Sequence, residues 1–268
     1  VANSATDWGA IWEQQMKLSF LKWDDPDFLY ERTRLPSIGI RTSNYVDELL
    51  ARMALSAESS VLDVGCGDGA ISVRMAKRVR QVTALDSDPG LLFSLTGRAM
   101  KEGLGNLQFV NEDWFQIEIG ADIEQHDIVL ASRFRQMIPL QKFLEQMDRA
   151  ARQFCYLTWI VNRKELDPRI CEILGKEYYP LPEYSIIPGM LESMGINAHV
   201  DIFEAAGTHK FETIEQAVEA ATRGYRIENE QASEQIALLV QNELTDESGY
   251  LCRDTSTTWA LIWWGKII

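Results

Sequence analysis

The stretch VLDVGCGDGAIS, Val61 to Ser72, decides the fold. A short apolar run, Ser60–Val64, has the composition of a buried strand. Gly65, Gly67 and Gly69 then follow at alternate positions. From Gly69 to Val79 the apolar residues Ile71, Met75 and Val79 recur four apart, which predicts a helix. A strand, a glycine turn and a helix together form a ligand cradle. Glycine permits left-handed backbone and close approach, and the helix start offers unpaired N–H groups. Two acids share the stretch: Asp63 before the first glycine and Asp68 between the second and third.

Outward from this loop the same alternation continues. Gln81–Leu85, Asn106–Val110, Asp127–Ala131 and Phe154–Val161 are expected strands. Ser87-Asp88-Pro89 is a strong helix start, with a capping side chain and then proline at the first helical position. Leu91, Leu95 and Ala99 carry that helix's apolar stripe. Pro139–Arg152 is a further helix. Strands alternating with helices of this length indicate βαβ units, a parallel sheet and helices on both of its faces. Residues 1–43 form an expected N-terminal helical lid, with Trp8, Trp12, Met16 and Phe20 at helical spacing and Trp23 beyond. Residues 44–161 form the expected core. Residues 162–268 hold an excursion ending in a short helix stopped by Gly195, a strand at Ala198–Glu204, a helical insert and a closing strand, TTWALIWWG. The insert's first helix opens with a Thr213-to-Gln216 capping box; its second carries Ala232, Ile236 and Leu239.

The bulk numbers narrow the partners. The chain has 268 residues, 46% of them hydrophobic, and a formal net charge of −14. That charge argues against nucleic acid and against anionic membranes, both of which attract basic surfaces. No apolar run is long enough to span a bilayer, and VANSATDWGAIW lacks the basic-then-apolar pattern of a secretory leader. A cytoplasmic location is therefore expected. Cys66, Cys155, Cys171 and Cys252 form no CxxC pair and no metal-ligand spacing, so reduced thiols and no metal are expected.

Three cofactor readings compete for the loop. A Walker loop requires Gly-Lys-Ser/Thr, and no lysine follows here. The dinucleotide pattern G-x-G-x-x-G/A is satisfied by Gly65, Gly67 and Ala70, with Asp86 about twenty residues on. The acids discriminate. A buried carboxylate at Asp63 is costly unless something pairs with it, and a pyrophosphate would repel both it and Asp68. An ammonium group would attract both. S-Adenosyl-L-methionine carries an ammonium, a sulfonium, a ribose and an adenine, and no phosphate.

D-V-G-C-G-D-G resembles the first motif of the class I S-adenosylmethionine-dependent methyltransferases, and the similarity runs in order through about residues 44–160. It lies toward the small-molecule, type 11-like branch. The resemblance implies a Rossmann-like, mostly parallel seven-stranded sheet whose last strand, TTWALIWWG, is antiparallel, with a helical cap. It also implies that Asp63, Gly65, Cys66, Gly67, Asp68 and Gly69 line the cofactor. Asp86, with Ser87 beside it, matches the acid that holds the ribose hydroxyls. Asp113 matches the acid that contacts adenine, and Trp114 is placed to pack on the base. Ser132 lies on the methyl-transfer face at the end of the fourth strand. Tyr45 and Arg133 are candidate acceptor contacts, Arg133 for a carboxylate or phosphate. Where family members methylating DNA bases or glutamine carry Asn/Asp-Pro-Pro-Tyr/Phe, this chain has Ala131-Ser132-Arg133-Phe134. The expected function is methyl transfer to a small molecule. An NAD(P)-dependent oxidoreductase and a non-catalytic cofactor-binding protein stay open as alternatives. No general base is identifiable.

Overall fold

The structure is a computed structural model, which describes residues 6–20, 38–161, 167–175, 177–222, 227 and 229–266. Trp23 lies outside the described residues. In chain order the elements begin with α1 (Trp8–Phe20), β1 (Ile40–Ser43), α2 (Tyr45–Leu50), β2 (Ser60–Val64), α3 (Ser72–Ala76), β3 (Gln81–Leu85) and α4 (Pro89–Lys101). They continue through β4 (Leu107–Val110), β5 (His126–Ser132), α5 (Leu140–Ala150), β6 (Ala151–Ile160), α6 (Pro168–Ile173) and α7 (Ile186–Ser193). The last are β7 (His199–Ala205), β8 (Gly207–Phe211), α8 (Ile214–Thr222), α9 (Glu230–Gln241), β9 (Thr245–Glu247), β10 (Tyr250–Asp254) and β11 (Thr257–Gly265).

Seven strands form the main sheet, in the order β4-β3-β2-β5-β6-β11-β7. The strands from β4 to β6 pair in parallel, whereas β11 is antiparallel to both β6 and β7. Every residue of β2 is buried, as expected of a strand covered on both faces. One face packs Leu62, Val64, Val129 and Leu157 with α1, α5 and α7; the other packs Val61, Val82 and Leu130 with α2 and α3. The chain order reverses between β2 and β5, so the crevice for a ligand opens at their carboxyl ends.

Local sequence accounts for the elements that frame this crevice. Asp88 caps α4, its Oδ1 accepting the Gly90 and Leu91 N–H groups at 2.8 and 3.4 Å, with Pro89 at the first helical position. The buried stripe of α4 is Leu92, Leu95 and Ala99. Leu91, expected in that stripe, is exposed because it lies on the opposite side of Leu95 from Leu92 and Ala99, at the edge of the buried face. The Gln216 N–H donates to Thr213 Oγ1 at 3.3 Å, while the Gln216 side chain accepts from the Glu212 N–H at 3.0 Å.

The cap departs from expectation. It is no purely helical insert: β1, β8, β10 and β9 form a four-stranded antiparallel sheet, in that order. Helices α6, α8 and α9 pack on it through Ile170, Ala217, Ile236 and Val240 against Phe211. Strand β1 belongs to residues 1–43, so the N-terminal segment and the insert share one sheet. The cap joins the core where β1 enters α2, where β7 enters β8, and where β10 enters β11. All three junctions lie at the carboxyl edge of the main sheet. An ion-pair cluster secures α6: Arg169 and Arg253 both pair with Asp167 and Glu243.

Helix α1 also docks at this edge. Trp12 is fully buried, its ring 4.8 Å from that of Trp159, and its Nε1–H donates to the Met137 carbonyl at 2.8 Å. Among the described residues, no helix is long and apolar enough to cross a membrane, and no group of His, Cys, Asp and Glu could hold a metal ion.

Candidate active site

At the reversal point lies a cavity of about 200 Å³. Asp63, Gly65, Cys66, Gly67 and Asp68 line it from the glycine loop, and Ser132 and Arg133 from the end of β5. None of its lining residues is a histidine. The loop glycines all have positive φ: 69° at Gly65, 58° at Gly67 and 81° at Gly69. Their surroundings differ. A Cβ at Gly69 would lie 2.0 Å from Leu95, and one at Gly65 would lie 2.3 Å from the Phe134 ring. A Cβ at Gly67 would meet nothing within 4 Å. Gly65 and Gly69 are thus required by packing. Gly67 leaves open space in the cavity wall.

Asp63 is buried, and the Ser72 hydroxyl donates to its Oδ2 at 2.5 Å. Burial pushes its carboxyl up to about 6; the Ser72 bond and the Arg133 charge act against that, and Asp86 adds to it. Asp63 is therefore both a structural acid, tying β2 to α3, and a wall of the cavity. Asp86 joins the loop to β3. Its Oδ2 accepts the Gly67 N–H at 2.8 Å and its Oδ1 the Asp88 N–H at 2.9 Å. A carboxylate has about four acceptor sites, so about two remain for a ligand.

Asp63, Asp86 and Asp113 stand at or just beyond the ends of β2, β3 and β4, three adjacent strands. At about 4.8 Å per strand, the row extends roughly 10 Å. Asp113 is exposed, with Oδ1 accepting the Phe115 N–H at 2.9 Å; Ser87 is exposed beside Asp86.

Two of the expected contact residues have partners within the chain. Asp68 lines the cavity, but its carboxylate pairs with Arg98 of α4 at 2.9 Å. That pair anchors the loop to α4. The Trp114 ring is 1% exposed and packs edge-on to Phe143 at 6.2 Å. In this conformation it offers no face to an adenine. Burial, with Asp63 and Asp86, pushes the Cys66 thiol far above the ordinary value, which disfavours the nucleophilic thiolate.

One arrangement was not legible in the sequence. The hydroxyls of Tyr45, Ser132 and Thr158 lie together at the ends of α2, β5 and β6. Tyr45 Oη lies 2.7 Å from Ser132 Oγ and donates to Thr158 Oγ1 at 2.8 Å. Arg133, beside them, has a φ of 57°, and its guanidinium lies 4.9 Å from the Tyr45 ring centroid. Thr158 carries no motif, and only the pairing of β5 with β6 brings it here.

The comparisons with known proteins agree with this geometry. Residues 61–153 match the family described as Methyltransferase domain. The chain is 28% identical over 225 residues to an uncharacterized protein of Haemophilus influenzae, covering 84% of this chain and 82% of that one. It is 30% identical over 114 residues to the 23S rRNA (uracil(1939)-C(5))-methyltransferase RlmD of Xanthomonas campestris. That match covers 40% of this chain and 24% of the rRNA enzyme. A solved structure from Bacillus halodurans, of a protein proposed to be a methyltransferase, has the same fold at a TM-score of 0.56. It is 16% identical, over 83% of this chain and 99% of the other. Residues 61–153 thus carry a methyltransferase domain, and the glycine loop, the strand order and the antiparallel β11 give the chain the fold of the Bacillus halodurans structure.

Proposed function

We propose that this chain transfers a methyl group from S-adenosylmethionine to a small-molecule acceptor. One observation carries the donor's placement. A single cavity has an acid, Asp63, and a base, Arg133, in its walls, beside the open space at Gly67. A zwitterionic amino-acid group complements that pair of charges. At about 200 Å³ the cavity is smaller than the roughly 300–1,000 Å³ of pockets that enclose a whole ligand. It suits the amino-acid end, with the nucleoside extending along the row of acids.

In this reading residues 44–161 hold the donor. Asp63 takes the ammonium and the free acceptor sites of Asp86 take the ribose hydroxyls. Asp113, with Ser87 nearby, faces the base end. Gly65, Cys66, Gly67 and Gly69 shape the loop, and Ser132 marks the methyl-transfer side. The bound donor supplies an activated methyl group on sulfur. The chain aligns the acceptor with it and excludes water. Helix α1 and the cap close the acceptor side.

The acceptor reading rests on charge. A net charge of −14 opposes a polyanion. The RlmD match covers only 24% of that enzyme, so its RNA substrate is not carried over to this chain. The test uses S-adenosylmethionine labelled in its methyl group, offered with total RNA and separately with a small-molecule extract. Label should enter the small-molecule fraction. Label entering RNA alone would overturn the acceptor reading. For the donor, S-adenosylhomocysteine should raise Tm and NAD should not; the reverse would overturn it.

A further inference from the structure

We infer that a closed ring of three hydroxyls, on Tyr45, Ser132 and Thr158, seats Arg133 to bind the carboxylate of the methyl donor, making Tyr45 and Thr158 positioning residues. The inference rests on the proposed donor site, where Arg133 stands opposite Asp63, and adds what holds Arg133 there.

The proton count closes the ring. Tyr45 donates to Thr158 at 2.8 Å, and Thr158 donates to Ser132 at 3.3 Å. The single tyrosine proton is then committed, so across the 2.7 Å contact the Ser132 hydroxyl donates to Tyr45. Within the ring each hydroxyl gives one hydrogen bond and receives one, an arrangement in which neighbouring bonds strengthen one another. All three residues are buried, Thr158 completely. Burial raises the Tyr45 phenol, so it keeps its proton.

The ring acts on Arg133 twice. Thr158 Oγ1 accepts the Arg133 N–H at 3.0 Å. This bond supports a left-handed backbone, φ 57°, that a residue other than glycine adopts only where its surroundings enforce it. Tyr45 then supports the side chain, with the guanidinium 4.9 Å from its ring centroid. The guanidinium is thereby held at the cavity that Asp63 also lines. A carboxylate and an ammonium on one carbon would meet Arg133 and Asp63 together. An acceptor's anion at Arg133 would occupy the cavity that the glycine loop shapes for the donor.

The test compares two nucleosides, S-adenosylhomocysteine and its decarboxylated analogue, which keeps the amine and lacks the carboxylate. Dissociation constants are measured by calorimetry for the intact chain and for Thr158→Val, Tyr45→Phe and Arg133→Met. The unaltered chain should prefer S-adenosylhomocysteine by about tenfold or more. Thr158→Val and Tyr45→Phe should bind the analogue within about twofold of the unaltered chain while losing most of the preference. Arg133→Met should abolish the preference, and adding Thr158→Val to it should change nothing further. Thermal unfolding shows which variants are folded, and Tyr45→Phe, which keeps the ring face, serves if Thr158→Val is not. If the variants weaken both nucleosides equally, the hydroxyl ring is merely structural and the inference falls. If the unaltered chain binds both equally, Arg133 does not read the carboxylate. If it binds neither, the donor reading fails first.

Discussion

Asp63 carries opposite consequences for stability and for binding. Its carboxyl is raised by burial to about 6, so ionising it in the folded chain costs roughly 3 kcal/mol. The folded state therefore holds this proton more tightly than the unfolded one. Its contribution to stability is largest below about pH 4, falls as pH rises toward about 6, and is level above that. Binding of an ammonium group needs the ionised form, so affinity for S-adenosylhomocysteine should rise with pH through about 6. Asp63→Asn separates the two effects. At neutral pH its Tm should be unchanged or higher, its affinity about tenfold or more weaker, and the pH dependence of binding flattened; calorimetry across pH checks this. The glycines give a second contrast. Gly69→Ala drives a methyl group into Leu95, whereas Gly67→Ala meets only open space. Thermal melts should show the larger loss for Gly69→Ala, and ligand titration should show that Gly67→Ala binds poorly while folded. The placement of Asp63 and Asp86 was legible because it depends on residues near the loop. The pairing of Asp68 was not, because Arg98 comes to it only when α4 packs back beside the loop.

At the level of elements, legibility followed periodicity. Strand β2 was readable from its apolar run ahead of the glycine turn, and α4 from Asp88-Pro89. The cap sheet was not. Its strands, IRTS, GTHKF, TDE and YLCRD, are short, and β1 and β9 are exposed along their whole length, so neither an apolar run nor a clean alternation marks them. The two amphipathic helices beside them carried the stronger signal and suggested a helical insert. Helix α1 was legible as an apolar stripe, but not its target. Trp12 meets Trp159 and the Met137 carbonyl across more than a hundred residues. Trp12→Ala removes both contacts and opens a cavity, so chemical denaturation should show a loss of about 3–5 kcal/mol.

For the molecule as a whole, the donor should act as a folding ligand. At about one hundred times its Kd, S-adenosylhomocysteine should raise the unfolding free energy by about 2.7 kcal/mol, with Tm rising with ligand concentration. The acidic charge fixes a further expectation: association with RNA should be negligible at physiological salt, as measured by filter binding. The shared cap sheet also imposes a timetable on synthesis. Ile40 of β1 pairs with Lys210 of β8, which the ribosome adds 170 residues later. At about 5–20 residues per second, β1 waits roughly 10–35 s for its partner. By then β2 to β7 have all been made, so a nascent chain can pair the parallel strands β2 to β6 before β1 finds its place in the cap sheet.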